Sequence, residues 1–419
     1  MARTNHLAVL LEGRHVAELN RTRSGILRLT YRPEARRPGV TPLSLSLPPS
    51  EATHVGAPVE QFLAGLVPER TGALRSIARR HRVDPDDILD VLTAIGKDCA
   101  GAVQFCRESE IDDTIRRTGR LEECTAGDIE VRLDEMDTNE DAAWTMPGEH
   151  WSLGGTQQKL ALRREAGRWF VAHDAEPTTH IVKPGIRRMR AQALVEHVSM
   201  RAAQHLGVDV AATEFTSFRS QDAVVVTRFD RHRSPSGDVT RLHQEDLCQA
   251  MGNPEKYEEY GGPSSHAIVQ FLRDASATAA AARRNVDRFV DGLIYNTVVA
   301  APDAHARNYA VLLQGDDVRL APLFDVATGL AYDMPAGSDR VLSMSIGDSF
   351  DADAVDDGRW ARWAEAAGLD ASTVLGRVGE MQQDAPAAFA AALDEIDDVE
   401  GHVAQLKARL LPALEARRH

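Results

Sequence analysis

Two apolar segments in "HLAVLLEGRHVAEL" flank a turn signal at Glu12-Gly13-Arg14, which predicts a pair of strands near the start of the chain. In "PLSLSLP", Leu43, Leu45 and Leu47 alternate with serines, the period of a half-buried strand. Val59, Phe62, Leu63, Leu66 and Val67 then fall at helical spacing until Pro68 ends the run. A small mixed α/β domain over 1–133 follows from this pattern. Residues 134–149, "DEMDTNEDAAWTMPGE", are acidic, turn-rich and without period, and predict an exposed linker.

Short strand-like pieces come next, "KLALRR", "RWFVAH" and "THIVK", followed by a helical stretch from about Ala191 to Leu206 and the strand-like "AVVVTRFD". Residues 150–240 are thus expected to form a strand-rich lobe carrying one helix. From Arg283 the pattern turns helical, with Val286, Phe289, Val290, Leu293 and Ile294 on one face. The segments "NYAVLL" and "VRLAPLFDV" follow, with "QGDDVR" as a hairpin turn between them. The tail from Trp360 is Ala-rich and helical, with a stripe at Val374, Val378 and Met381, and Trp360 and Trp363 read as packing anchors. Residues 241–419 therefore form a largely helical lobe, and the fold class is α+β.

Composition narrows the function. The 419 residues suffice for roughly two or three domains with cores of their own. With 43% hydrophobic and 26% charged residues, and no apolar run near the ~20 residues of a membrane span, no membrane role is expected. The first residues show no secretory h-region, so the expected location is cytoplasmic. Cys99, Cys106, Cys124 and Cys248 have neither CxxC nor metal-ligand spacing and read as buried free thiols. A net charge of -15 argues against autonomous binding to DNA, which requires a basic face that displaces counterions.

The chemistry concentrates where "VVAAPDAHARNYAVLL" breaks its apolar pattern with Asp303, His305, Arg307 and Asn308. Taken alone, this is a helix end followed by a turn more often than a site. Asp325 follows a strand-like run in "PLFDVATG", and upstream lie a glycine-containing loop, "WSLGGTQQKLAL", then Lys183 at a strand end and Glu196 on the next helix. Each signal is weak by itself: Gly154-Gly155 fits neither GxGxxG nor a Walker A motif, and a lone Lys or Glu is usually solvated. "DAH" with the later "GDD" also imitates the start of a two-metal phosphatase site, but no later His pair completes it. The order loop, Lys, Glu, Asp, Asn, Asp is what phosphoryl transfer demands: an acceptor for the hydroxyl proton, oxygen ligands for a hard cation, and cations on the phosphates.

The segments "LSLSLP", "CAGAVQF", "SLGGTQQKLAL", "THIVK", "TRFDR", "HQEDLCQAMG", "DAHARN" and "PLFDV", in this order, make the chain resemble the HipA family of bacterial serine/threonine-kinase toxins over most of its length. The resemblance implies a bilobal protein-kinase-like fold, distantly lipid-kinase-like, with a small N-terminal domain that helps contact an antitoxin. It implies ATP and Mg2+ as cofactors. Gly154, Gly155, Thr156, Gln157, Gln158 and Lys159 would cover ATP, Lys183 would bind its phosphates with Glu196 as ionic partner, and Thr227, Arg228 and Phe229 would line the nucleotide edge. Asp303 would be the base. His305, Ala306, Arg307 and Asn308 would continue the site, Phe324 and Asp325 would close it, and Asn308 and Asp325 would ligate Mg2+.

Ser152 occupies the place of an autophosphorylated loop serine. Its phosphate would repel those of ATP, eject the loop and silence the enzyme. The implied partners are a HipB-like helix-turn-helix antitoxin, operator DNA reached mainly through that antitoxin, and a protein substrate such as an aminoacyl-tRNA synthetase, whose inactivation would slow growth. A kinase-shaped regulatory subunit tuning operon repression, or a kinase of a non-protein substrate, are the rival readings. Two positions depart from the family: Ala304 stands where Gly is frequent, which would stiffen the catalytic loop, and Gly154 where Ala or Pro is common.

Overall fold

The computed structural model describes residues 3–335, 338–397 and 401–418. The chain forms two compact units: Met1–Pro184 with Thr216–Gly252 and Val311–Asp317, and Gly185–Phe215 with Asn253–Ala310 and Val318–His419.

The first unit opens with a five-stranded antiparallel sheet in the order Thr53–Val55, Leu27–Tyr31, Arg14–Arg21, His6–Leu11, Val103–Cys106. Its first hairpin turns at Glu12 and Gly13, with φ of 52° and 74°, the two positive values that a two-residue turn matched to strand twist requires. The strand His6–Leu11 is buried on both faces. Leu7, Val9 and Leu11 enter the main core, whereas Ala8 and Leu10 pack with Cys106. Of a second sheet, Leu121–Cys124, Arg168–Ala172, Leu160–Glu165, His180–Pro184 and Gln221–Thr227 lie side by side in this unit, with Lys183 opposite Val224.

Two expectations fail here. "PLSLSLP" is not a strand: Ser46 N and Oγ turn onto Ser44 Oγ, and Tyr31 Oη donates to Leu47 O at 2.7 Å. Local side-chain to backbone bonds outcompete a ladder there, although Leu43 and Leu47 are fully buried as the alternation suggests. Nor is 134–149 an exposed linker. The helix Ala126–Thr138 runs into it, Trp144 and Thr145 are fully buried, and Arg132 clamps Glu149 at 2.6 and 3.1 Å while donating to Trp144 O. The acidic composition concealed its anchors. A single core runs from Leu7 to Val225, and Asp98–Cys99 pairs in parallel with Trp151–Ser152, so no boundary separates 1–133 from the strands that follow.

In the second unit the helix Gln192–His205 is buried over most of its length and packs against Ala371–Asp394. Arg201 reaches Glu395 at 2.7 Å, and Tyr295 Oη donates to Ser199 O. Sequence grouped this helix with the strands beside it in the chain; its apolar faces place it with the C-terminal helices instead. Trp360 and Trp363 meet edge-to-face at 5.5 Å as core anchors, and Trp363 Nε1 donates to Ser265 Oγ at 2.8 Å. Val374, Val378 and Met381 are buried as their spacing predicts. Cys99 and Cys106 are buried free thiols, Cys248 is buried and Cys124 is half-buried. Among the described residues no helix is long and apolar enough to cross a membrane.

A buried ionic cluster organises the first unit. Asp98 Oδ1 pairs with Arg231 and Arg241 at 2.8 Å each, and Oδ2 accepts from Thr178 N and Oγ1 at 3.0 and 2.7 Å. Arg228 grips Asp230 at 3.0 and 2.7 Å and donates to Thr178 Oγ1 and Cys99 O, each at 2.9 Å. Burial alone would raise the Asp98 carboxyl, but the guanidiniums of Arg231, Arg241 and Arg228 hold it far below the usual carboxylate range. Removing one member of such a set leaves buried charge uncompensated. Asp98→Asn is therefore expected to destabilise the first unit by about 3–5 kcal/mol, read as an earlier urea transition; an unchanged transition would show that the cluster is dispensable.

Candidate functional site

The polar cluster of 303–308 sits at the end of the helix Ala279–Val298, whose start is capped by the Thr278 side chain. The exit is fixed by Ala300 at φ 48°, by Ala301 N donating to Asn296 O, and by Thr328 Oγ1 donating to Val299 O at 2.7 Å. Ser343 Oγ holds Pro302 O at 2.7 Å. Apolar runs on both sides thus pin a short polar loop.

Within it Asp303 is exposed while His305, Ala306 and Asn308 are buried. Asn308 Nδ2 donates to Asp303 O at 2.6 Å, which leaves the amide oxygen without a protein donor among the described residues. His305 Nε2 lies 3.4 Å from Asp303 Oδ1. Burial lowers the imidazole's pKa, and the negative charges of Asp303 and, more weakly, Asp325 oppose that shift. Asp325 adopts φ 60°, a left-handed backbone uncommon outside Gly and held only where surroundings enforce it. The loop therefore gathers Asp303, His305 and Asn308, and Asp325, from the segment after Phe324, adds its charge to the field at His305. Arg307 instead donates to Pro254 O at 3.1 Å and shapes the loop. Ala304 has no positive φ, so alanine there imposes no strain, contrary to the stiffening expected from sequence.

Sequence reasoning missed the segment that lines this loop. In "NPEKYEEYGGP", Lys256 O accepts from Ala306 N, Tyr257 Oη donates to Asp303 Oδ1 at 2.6 Å, and Glu258 accepts from Ser345 N and Oγ at 2.7 and 2.8 Å. No period or motif marks these residues; only the Pro and Gly flanks signal a loop.

The other predicted residues lie in the first unit, apart from Glu196 and Phe324. Ser152 is buried, and its Oγ donates to Leu66 O at 2.6 Å. A Cβ on Gly154 would stand 2.6 Å from Gly65 O, so this loop needs glycine where the family tolerates alanine or proline. Gly155 has φ 98°, and its carbonyl accepts from Glu69 N at 3.0 Å. Lys159 Nζ turns back onto Gly154 O at 2.6 Å and lies 5.0 Å over the Trp144 ring. Gln157 donates to Pro184 O and Gln158 to Asn139 O, while Thr156 is exposed. Lys183 is buried in its strand.

Thr227 ends the next strand exposed, with Phe229 half-buried. Arg228 is buried, and its guanidinium is engaged by Asp230, Thr178 and Cys99 in the buried cluster. Glu196, in the second unit, is buried with Gln192 Nε2 at 3.4 Å from its Oε2, and Phe324 is half-buried beside Asp325.

"HQEDLCQAMG" is a strand, His243–Asp246, followed by the helix Leu247–Met251 capped by Asp246. Leu247 is core and Met251 half-buried. Glu245 Oε1 accepts from Leu45 N at 2.8 Å, and Ser46 Oγ donates to Gln249 O at 2.7 Å, so this stretch and "LSLSLP" hold each other.

The comparisons with known proteins give this arrangement its class. The HipA-like C-terminal domain model matches residues 151–389 and the HipA N-terminal domain model residues 7–106. The chain belongs to the HipA family, whose class is serine/threonine kinase. It is 32% identical to the Sinorhizobium fredii protein named "Putative kinase Y4mE", over 94% of this chain and 93% of that one. It is 28% identical to the serine/threonine-protein kinase toxin HipA of Shewanella oneidensis, over 89% and 87%. The fold is similar to that of HipA in a solved Shewanella oneidensis complex of HipA, HipB and operator DNA, with a TM-score of 0.81 at 23% identity over 98% and 97% of the chains.

Glu245 gives the folded state a measurable pH dependence. Burial pushes its carboxyl up to about 8, and Oε2 has no partner among the described residues. Between the unfolded value of 4.5 and about 8 the folded chain binds the extra proton, so this group's contribution to stability falls as pH rises through that window and is level above it. Glu245→Gln should remove the slope: thermal unfolding of the variant matches wild type near pH 5 and occurs at higher temperature near pH 8, by an effect of up to a few kcal/mol. Parallel pH profiles of the two proteins would refute the assignment.

Proposed function

We propose that the protein transfers the γ-phosphate of ATP to serine or threonine hydroxyls of a protein, with Mg2+, as the toxin of a toxin-antitoxin pair. The observation that carries this reading is the single loop that holds an exposed carboxylate, Asp303, against Asn308 and His305. In this reading Asp303 takes the proton of the attacking hydroxyl, and Asn308 and Asp325 supply oxygen ligands to the cation. The donor set fits: Asn308 keeps its amide oxygen clear by giving its nitrogen to Asp303 O, and one carboxylate with one amide suits a cation that keeps waters and phosphate oxygens. Lys183, buried at its strand end, and the Gly154–Lys159 loop would engage the phosphates.

The partners we infer are a HipB-like antitoxin and, through it, operator DNA, because the similar Shewanella protein was solved with both and this chain's charge of -15 disfavours direct DNA contact. The substrate class is a translation protein such as an aminoacyl-tRNA synthetase, and the setting is cytoplasmic. The same complex supports a second role, in which the chain also tunes repression as the antitoxin's partner.

Incubation of the purified protein with γ-labelled ATP and Mg2+ tests the site. Asp303→Asn and Asp325→Asn are each expected to cut phosphate incorporation by 100-fold or more, on the order of a lost general base or metal ligand; wild-type incorporation in either variant would sink the assignment.

Ser152 as the loop modification site makes a separate claim. Its hydroxyl must leave Leu66 O before it can accept phosphate. Ser152→Ala should abolish the loop phosphopeptide while transfer to other serines persists, as read by peptide mapping; a phosphoserine found elsewhere in the loop region would contradict it.

A further inference from the structure

The phenol of Tyr257 bonds one oxygen of the carboxylate that the kinase reading makes the base. Oη lies 2.6 Å from Asp303 Oδ1, the His305 Nε2 contact falls on the same oxygen, and Oδ2 has no donor among the described residues. The two oxygens of Asp303 are therefore inequivalent: one held by the protein, one open to solvent on a side chain 60% exposed.

Tyr257 is itself held. Its ring meets the His305 imidazole edge-on at 5.0 Å and 80°, Lys256 Nζ lies 5.4 Å over its face, and its carbonyl accepts from Gly262 N at 2.9 Å. Its two chain neighbours are tied to the same unit, Lys256 through the backbone of Ala306 and Glu258 through Ser345. His305 Nδ1 is buried without a partner, so the tautomer that carries its proton on Nε2 turns the N–H toward Oδ1. A carboxylate on an exposed loop otherwise rotates freely about its last torsion, and proton abstraction needs one oxygen at hydrogen-bond distance from the acceptor hydroxyl.

We propose that Tyr257 is a positioning residue for phosphoryl transfer: with His305 it fixes Oδ1 of Asp303 so that Oδ2 faces the incoming hydroxyl. The inference rests on the kinase reading above. In the step it serves, the acceptor oxygen bonds to the γ-phosphorus of ATP, its proton passes to Oδ2, the bond from γ-phosphorus to the bridging oxygen breaks, and ADP leaves with that electron pair.

Tyr257→Phe keeps the ring against His305 and removes only the donor. At saturating ATP its rate of γ-phosphate incorporation is expected to fall roughly 10- to 100-fold, the scale of a slightly misplaced reacting group, while ATP affinity by calorimetry stays within about twofold of wild type. In an Asp303→Asn background the same change should cost nothing further, because Tyr257 acts through that carboxylate. A Tyr257→Phe rate at or above wild type would mean that the phenol obstructs the base, and equal losses in both backgrounds would mean that it acts elsewhere; either result overturns the proposal. Transfer that survives Asp303→Asn overturns the kinase site and this inference together.

Discussion

Asp98 is the residue on which the first unit depends. Three guanidiniums and two carboxylates share an interior that water does not reach, and bringing each ion there costs several kcal/mol. The cost is offset only because nearly every donor finds an acceptor. Asp98 takes bonds from Thr178 and three arginines, and Arg228 and Arg231 both reach Cys99 O at 2.9 and 3.0 Å. The cluster thereby ties the short strand Asp98–Cys99 to the Thr178 turn, to the end of Gln221–Thr227 and to the strand Val239–Arg241, segments separated by 80 to 143 positions. Asp98–Cys99 in turn pairs with Trp151–Ser152, so the placement of the glycine-containing loop descends from a buried charge pattern.

The second unit solves a different problem, the fixing of a polar loop that must remain exposed. It does so from outside the loop. Main-chain groups at 254–256 and the side chains of Tyr257 and Glu258 grip the polar loop and the strand Val341–Ile346, while Thr328 and Ser343 hold the carbonyls at the helix exit. Asp303 Oδ2 and the Asn308 amide oxygen accept from no donor among the described residues. Rigidity in the shell and vacancy in two acceptors is what a preorganised transfer site requires.

Elements with a local period were legible in the sequence: the first hairpin, the strands around Lys183, the helix before Asp303 and the Val374–Met381 stripe. What failed has a common physical cause. "PLSLSLP" has strand periodicity, yet its serines bond one another and the main chain; the acidic stretch at 134–149 looks solvated, yet Trp144 and Arg132 anchor it. In both, a few side chains decide, and a window average dilutes them. Arg228 meets Asp98 across 130 residues, and nothing local announces that burial. Tyr257 stands 46 residues before the carboxylate it touches and was invisible for the same reason.

The glycine-containing loop is set by a handful of specific side-chain and backbone contacts. Its inward pose rests on Ser152 Oγ at Leu66 O, on Lys159 Nζ at Gly154 O, and on the missing Cβ of Gly154 against Gly65 O. Each contact is specific to a neutral serine and a bare glycine. A phosphate on Ser152 would bring nearly two negative charges into a place where the facing group is a carbonyl oxygen, itself an acceptor, and where no water can solvate them. The pose and the modified serine are therefore mutually exclusive on local chemistry alone. The bond from Ser152 Oγ to Leu66 O is a neutral one worth about 1 kcal/mol, and a phosphate on that oxygen would replace it with repulsion.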